Sequence, residues 1–111
     1  MLVELTRGNI CLNVHNDHIG RGIAKSKKFY EITMLDFIKN NVPKNGYYLD
    51  IGANIGNHSV FFLKYCTERL ICFEPVIENY SYLRKNFKIN KRSAALVKCA
   101  LGDKKGVAGI K

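Results

Sequence analysis

The sequence predicts an α/β protein built on a mostly parallel sheet. Three observations carry this. Residues 47–51, 70–73 and 94–99 are short runs rich in aliphatic, aromatic and β-branched side chains, the composition of core strands. The segments between them carry helical periodicity and are long enough for crossover helices, so the order reads β-α-β-α-β. The first run also ends in a glycine loop, Asp50-Ile51-Gly52-Ala53-Asn54-Ile55-Gly56, that leads directly into a helical pattern.

Composition sets the bounds. The chain has 111 residues, 47% of them hydrophobic, which is enough for one small domain with a core. No apolar run approaches the roughly 20 residues of a membrane span, and Glu4 and Arg7 interrupt any signal-peptide core. Cys11, Cys66, Cys72 and Cys99 form no C-x-x-C pair, so reduced thiols in a cytoplasmic protein are expected. The net charge of +9 comes largely from two clusters, residues 21–28 and 84–92. No nucleic-acid motif accompanies them, so a solvated basic face is the favoured reading and no specific nucleic-acid partner is expected.

Taken in order, Val3 and Leu5, then Ile10, Leu12 and Val14, alternate with polar residues around Thr6-Arg7-Gly8-Asn9, the pattern of an N-terminal β-hairpin. His15-Asn16-Asp17-His18 reads as a polar loop. Its two histidines and aspartate lack the partners of a metal site, so no metal is expected. Residues 19–28 read as a basic connector. Residues 29–41 place Ile32, Leu35, Ile38 and Val42 near one helical face, and Pro43 with Asn45-Gly46 ends that helix. A helix is expected over residues 56–66, and another over 77–89 that buries Tyr80, Leu83 and Phe87. Pro75 closes the second strand. Residues 102–106 form a turn, and 107–110 begin a return strand. The expected organisation is one domain over residues 1–111: hairpin and connector over 1–28, then a βαβαβ unit over 29–111.

Chemistry concentrates at the carboxyl ends of the strands, where open α/β sheets bind ligands. Asp50 and Glu74 each end a strand. The first could instead be a turn or cap residue, the second a surface carboxylate. Glu74 stands where a carboxylate accepts hydrogen bonds from both hydroxyls of a ribose. The loop matches neither the P-loop nor the dinucleotide G-x-G-x-x-G pattern. A carboxylate ahead of the first glycine repels a pyrophosphate and suits an ammonium or sulfonium. S-adenosylmethionine (SAM) carries both, together with a carboxylate for the helix N-terminus and a ribose diol for Glu74. Electrostatics therefore favour SAM over NAD.

Residues 48–59 resemble the first motif of the FkbM-type family of class I methyltransferases. Cys72-Phe73-Glu74-Pro75, with Asn79, Tyr80, Leu83, Asn86 and Asn90, is similar to that family's second motif and the helix after it; Tyr30-Glu31 and Ala100-Leu101-Gly102-Asp103 match less specifically. The resemblance implies a Rossmann-like class I methyltransferase fold, truncated here after its third core strand. It implies SAM-dependent O-methylation of a hydroxyl on a sugar or small metabolite. Residue by residue, Asp50, Gly52, Ala53, Asn54 and Gly56 would line the methionine moiety, and Glu74 would hold the ribose. His58 would be near the cofactor or on a plain helix face, and Ala100 and Leu101 would flank the adenine. No catalytic base is identified. The rival reading is a non-catalytic nucleotide-binding or partner-docking fragment of a larger methyltransferase. The implied strand order leaves residues 47–51 with an open, apolar sheet edge, through which the chain is expected to self-associate.

Overall fold

The computed structural model describes residues 1–107 and Gly109. The chain opens with a hairpin of β1 (Leu2–Glu4) and β2 (Cys11–Asn13), paired antiparallel with Val3 opposite Leu12. Gly8 and Asn9 take positive φ at its tip, the conformation for which those residues are suited. Val3, Leu5, Ile10, Leu12 and Val14 point together into the core, as their alternation predicts.

Residues 19–28 are not a connector. Helix α1 spans His18–Ser26, started by Asp17, whose side chain accepts from the Gly20 amide at 2.7 Å. Gly20 and Ile23 are its buried residues. Gly20 has to be small, because a Cβ there would collide with the His15 carbonyl. Helix α2 spans Ile32–Asn41 and buries Leu35, while Val42 is exposed.

Strands β3 (Tyr47–Ile51), β4 (Arg69–Phe73) and β5 (Ala95–Val97) form a parallel sheet in that order, with Asp50 opposite Cys72 and Cys72 opposite Leu96. Helices α3 (Asn57–Tyr65) and α4 (Ile77–Ile89) make the crossovers. Leu83 and Phe87 are buried on α4 as expected, and Tyr80 is half-buried. The return strand expected at 107–110 involves Ala108 and Ile110, which lie outside the described residues; Val107 is in no strand.

β3 departs from the core strand that its composition predicts. Among the described residues it is an edge strand, and only Asp50 within it is buried. Tyr47, Leu49 and Ile51 are 77%, 55% and 61% exposed. Side chains alternate between the two faces of a strand. Among the described residues helices cover one face of this sheet, and Ala95 and Val97 of β5 are exposed like the odd-numbered residues of β3. A composition suited to burial therefore stands on a bare face.

The hairpin is fastened to α4 by two asparagines. Asn86, fully buried, accepts from the Asn13 amide at 2.6 Å and donates to the Asn13 carbonyl at 3.0 Å and the Ile55 carbonyl at 2.8 Å. Asn90 accepts from the Cys11 amide at 3.0 Å and donates to the Cys11 carbonyl at 2.7 Å. The edge of β2 away from β1 is thus satisfied by side-chain amides, so its backbone groups do not go without partners.

Candidate cofactor site

The site is built where β3 runs into α3. Gly52 and Gly56 take φ of +76° and +95°, and Asn54 between them takes +54°. The first two angles need glycine, and asparagine is among the few other residues that tolerate the third. The turn is tied to the next strand through backbone bonds from Gly52 and Ala53 to the Phe73 carbonyl, at 2.8 and 2.9 Å. Gly56 has a second constraint: a Cβ there would come within 2.8 Å of Leu83 Cδ1 on α4. At Gly52 a Cβ would meet nothing within 4 Å, so space is open above the loop.

The two strand-end carboxylates turn inward. Asp50 is 8% exposed and accepts the hydroxyl of Ser59, a residue of the first turn of α3. Ser59 Oγ also stands 3.3 Å from Cys72 Sγ. Burial pushes the Cys72 thiol up to about 11; the Ser59 contact opposes that rise and the charge of Asp50 adds to it. Glu74 is 4% exposed, with Oε1 accepting from the Asn54 amide at 2.7 Å and Oε2 from the Val76 amide at 2.8 Å. It binds the glycine loop to the start of α4.

A cleft of about 160 Å³ opens on the loop. Gly52, Ala53, Asn54 and Ile55 line one side with Asn57 and His58 of α3, while His15, Asp17, Ile19, Gly20, Ile23 and Tyr30 form the other. The Asn57 side chain locks Tyr30 across it, accepting from its amide and donating to its carbonyl, both at 2.9 Å. His15 is held against α4, with Nε2 2.8 Å from Asn79 Oδ1 and its ring 4.0 Å from that of Tyr82. His58 Nε2 lies 3.3 Å from Glu31 Oε1, close enough for an ion pair but outside hydrogen-bonding geometry, and that nitrogen has no hydrogen-bond partner among the described residues.

Of the expected site residues, Gly52, Ala53, Asn54 and His58 meet at this cleft. Asp50, Gly56 and Glu74 support the loop and do not line it. Ala100 and Leu101 follow β5, are exposed, and are not part of the cleft wall. Sequence reasoning missed most of the opposite wall, because it left residues 15–28 as loop and connector; it matched Tyr30-Glu31 to the family pattern as a cover for the site without giving the pair a role. The D-x-x-G spacing of Asp17 and Gly20, a capping pattern, was the available clue.

No protein-family description matches the sequence, and no curated protein does. Solved structures do match. One is yhhF from Escherichia coli, assigned as a methyltransferase (TM-score 0.64, 17% identity, 90% of this chain and 53% of that one). Another is HI0767 from Haemophilus influenzae, assigned as a methylase (TM-score 0.58, 16% identity, 90% and 53%). A third is TYW2 from M. jannaschii in complex with AdoMet (TM-score 0.61, 20% identity, 88% and 43%). The fold is a methyltransferase fold. The chain spans about half the length of the solved methyltransferases it matches. Nothing among these matches singles out the FkbM-type family. Among the described residues no helix is long and apolar enough to cross a membrane.

Proposed function

We propose that this chain is the cofactor-binding part of a SAM-dependent methyltransferase. One observation carries the reading. In a methyltransferase fold, β3 ends in a left-handed glycine loop that opens on a cleft at the carboxyl edge of a parallel sheet. The residues present fit the cofactor. The space over Gly52 admits a ligand against the backbone. The first turn of α3 offers amides and a positive dipole end to a carboxylate. Asp17 in the cleft wall, and Glu31 at 3.3 Å from His58 of that wall, bring negative charge that suits an ammonium or sulfonium.

In this reading Gly52, Ala53 and Asn54 are the floor beneath the methionine end, braced by Asp50 and Gly56. Glu74 takes the ribose: each oxygen holds one backbone amide and keeps a lone pair for a hydroxyl. His58 flanks the amino-acid end, and Ala100 and Leu101 the adenine. SAM supplies the electrophilic methyl group. The protein's task is alignment of the acceptor with it, which is worth about 7–11 kcal/mol of barrier in favourable cases. The finer reading, an FkbM-type enzyme methylating a hydroxyl of a sugar or small metabolite, rests on the motif residues quoted above.

Calorimetry with SAM and NAD tests the cofactor. SAM is expected to bind and NAD to bind more weakly; tighter NAD binding would sink the proposal. A second reading, a cofactor-binding unit that docks with another polypeptide segment, is favoured by the bare face of Tyr47, Leu49 and Ile51 and by the open edge of β3. Light scattering separates it from an independent enzyme. Self-association of the isolated chain supports docking, and a monodisperse monomer that turns over SAM removes it.

A further inference from the structure

Five carboxylates stand near the cleft, and their other commitments differ. Glu78 reaches it only through His15 Nδ1, at 3.9 Å, and is 74% exposed on the outer surface. Asp50 is buried under the loop and bound to Ser59. Glu74 is buried with a backbone amide on each oxygen. Asp17 lines the cleft but spends Oδ1 on capping α1. Glu31 has none of these ties. It occupies the N-cap position of α2 but makes no capping bond with its side chain. Its carboxylate instead reaches His58, a cleft residue, in a poorly aligned contact at 3.3 Å.

The backbone gives a second, independent mark. Glu31 sits at φ +57°, ψ +40°, a left-handed conformation that costs a side-chain-bearing residue strain and costs glycine none. Neither helix capping nor packing calls for glutamate here, since its side chain is substantially exposed. The residue before it is fixed rigidly, because the Asn57 amide grips Tyr30 on both its N–H and its C=O. The backbone at Glu31 is thereby held beside the first turn of α3, where its carboxylate meets His58. The cleft, at about 160 Å³, is smaller than the roughly 300 Å³ at which pockets for whole drug-sized ligands begin, and suits the amino-acid end of a ligand better than a nucleoside.

We infer that Glu31, rather than the strand-end Asp50, receives the α-ammonium of the cofactor, and that His58 holds its carboxylate while the cleft is empty. This deepens the SAM reading and rests on it. The ammonium replaces a misaligned imidazole contact with a charge-assisted hydrogen bond, the stronger of the two. The α-carboxylate of the same group then faces the first-turn amides of α3.

The test is calorimetry on the full 111-residue chain with SAM, with S-adenosylhomocysteine and with methylthioadenosine, a thioether nucleoside that has no ammonium. The variants are Glu31→Gln, Glu31→Gly and Asp17→Asn. Glu31→Gln and Glu31→Gly are expected to weaken SAM and S-adenosylhomocysteine by about ten- to a hundred-fold, the loss of hydrogen bonding to a charged group. Methylthioadenosine affinity should not change. Glu31→Gly should melt no lower than wild type, because glycine relieves the strain, so its weaker binding cannot be unfolding. Equal losses for all three ligands would mean structural damage and overturn the assignment. So would an unchanged affinity, a loss confined to SAM, which would mark a sulfonium contact, or a loss with Asp17→Asn alone. A wild-type chain that binds none of the three would remove the cofactor reading itself, and this inference with it.

Discussion

Gly56→Ala and Gly52→Ala make a matched pair in the same loop. Both glycines lie at positive φ, so alanine costs each about 1–2 kcal/mol of backbone strain. Only Gly56 has a neighbour in the way. Its new methyl would stand 2.8 Å from Leu83 Cδ1, a fully buried side chain with little room to give. Overpacking of that sort adds about 1–3 kcal/mol. Gly56→Ala is therefore expected to cost about 2–5 kcal/mol and Gly52→Ala about 1–2, against a total near 5–15 kcal/mol for a small domain. Urea unfolding followed by circular dichroism measures both as midpoint shifts at constant slope. A double-mutant cycle isolates the contact: with Leu83→Ala in the background, Gly56→Ala should lose its packing component and keep only the strain. Equal costs for the two glycine variants, or no coupling to Leu83, would refute the claim that Gly56 is required by the packing of α4 on the loop.

Two further outcomes follow from the interior. Asn86→Leu should cost about 3 kcal/mol or more, because the Asn13 amide and carbonyl and the Ile55 carbonyl all lose their partner, at about 1–3 kcal/mol for each buried group left unsatisfied; a midpoint within error of wild type would show that the hairpin is not held by this residue. Cys72 should resist thiol reagents in the folded protein at pH 9.0 and react on unfolding, since burial raises its folded value from 9.0 to about 11. The unfolded thiol loses its proton first, so stability should be intact below pH 9.0 and fall as pH rises towards about 11; rapid native labelling of Cys72 would contradict the burial argument.

Much of the framework was legible because short-range pattern and tertiary burial agree. The α4 range follows from Pro75 and the spacing of Tyr80, Leu83 and Phe87. The left-handed loop follows from Gly52, Asn54 and Gly56, residues that tolerate those angles. Elsewhere the two conflict. Helix α1 carries two glycines within a short span, so its propensity is poor, and only contacts with His15 and the core justify it. The β3 residues have a core composition whether or not anything covers them, so sequence could not separate Asp50, which is buried, from Leu49, which is not. The same holds at the site. Residue types named the loop, but whether a carboxylate faces the cleft or its own backbone is a matter of rotamer and neighbours. That is why Glu74 was legible as important while its bonds to Asn54 and Val76 were not.

The asparagine fastening makes helix α4 a ruler for the hairpin. Asn86 and Asn90 are one helical turn apart, about 6 Å along the axis, while Asn13 and Cys11 are one pleat repeat apart, about 6.6 Å. The two periods nearly coincide, so a side-chain amide meets a backbone amide at both places at once. A slip of the strand by a single residue would turn the N–H and C=O groups at both places towards β1 and break both grips together. Asn79 extends the same helical stripe to His15, at the lip of the cleft. The wall facing the glycine loop is thus indexed, residue by residue, to the helix that Glu74 ties to that loop. One inserted residue anywhere between Cys11 and His15 would throw the two sides of the cleft out of step without touching either.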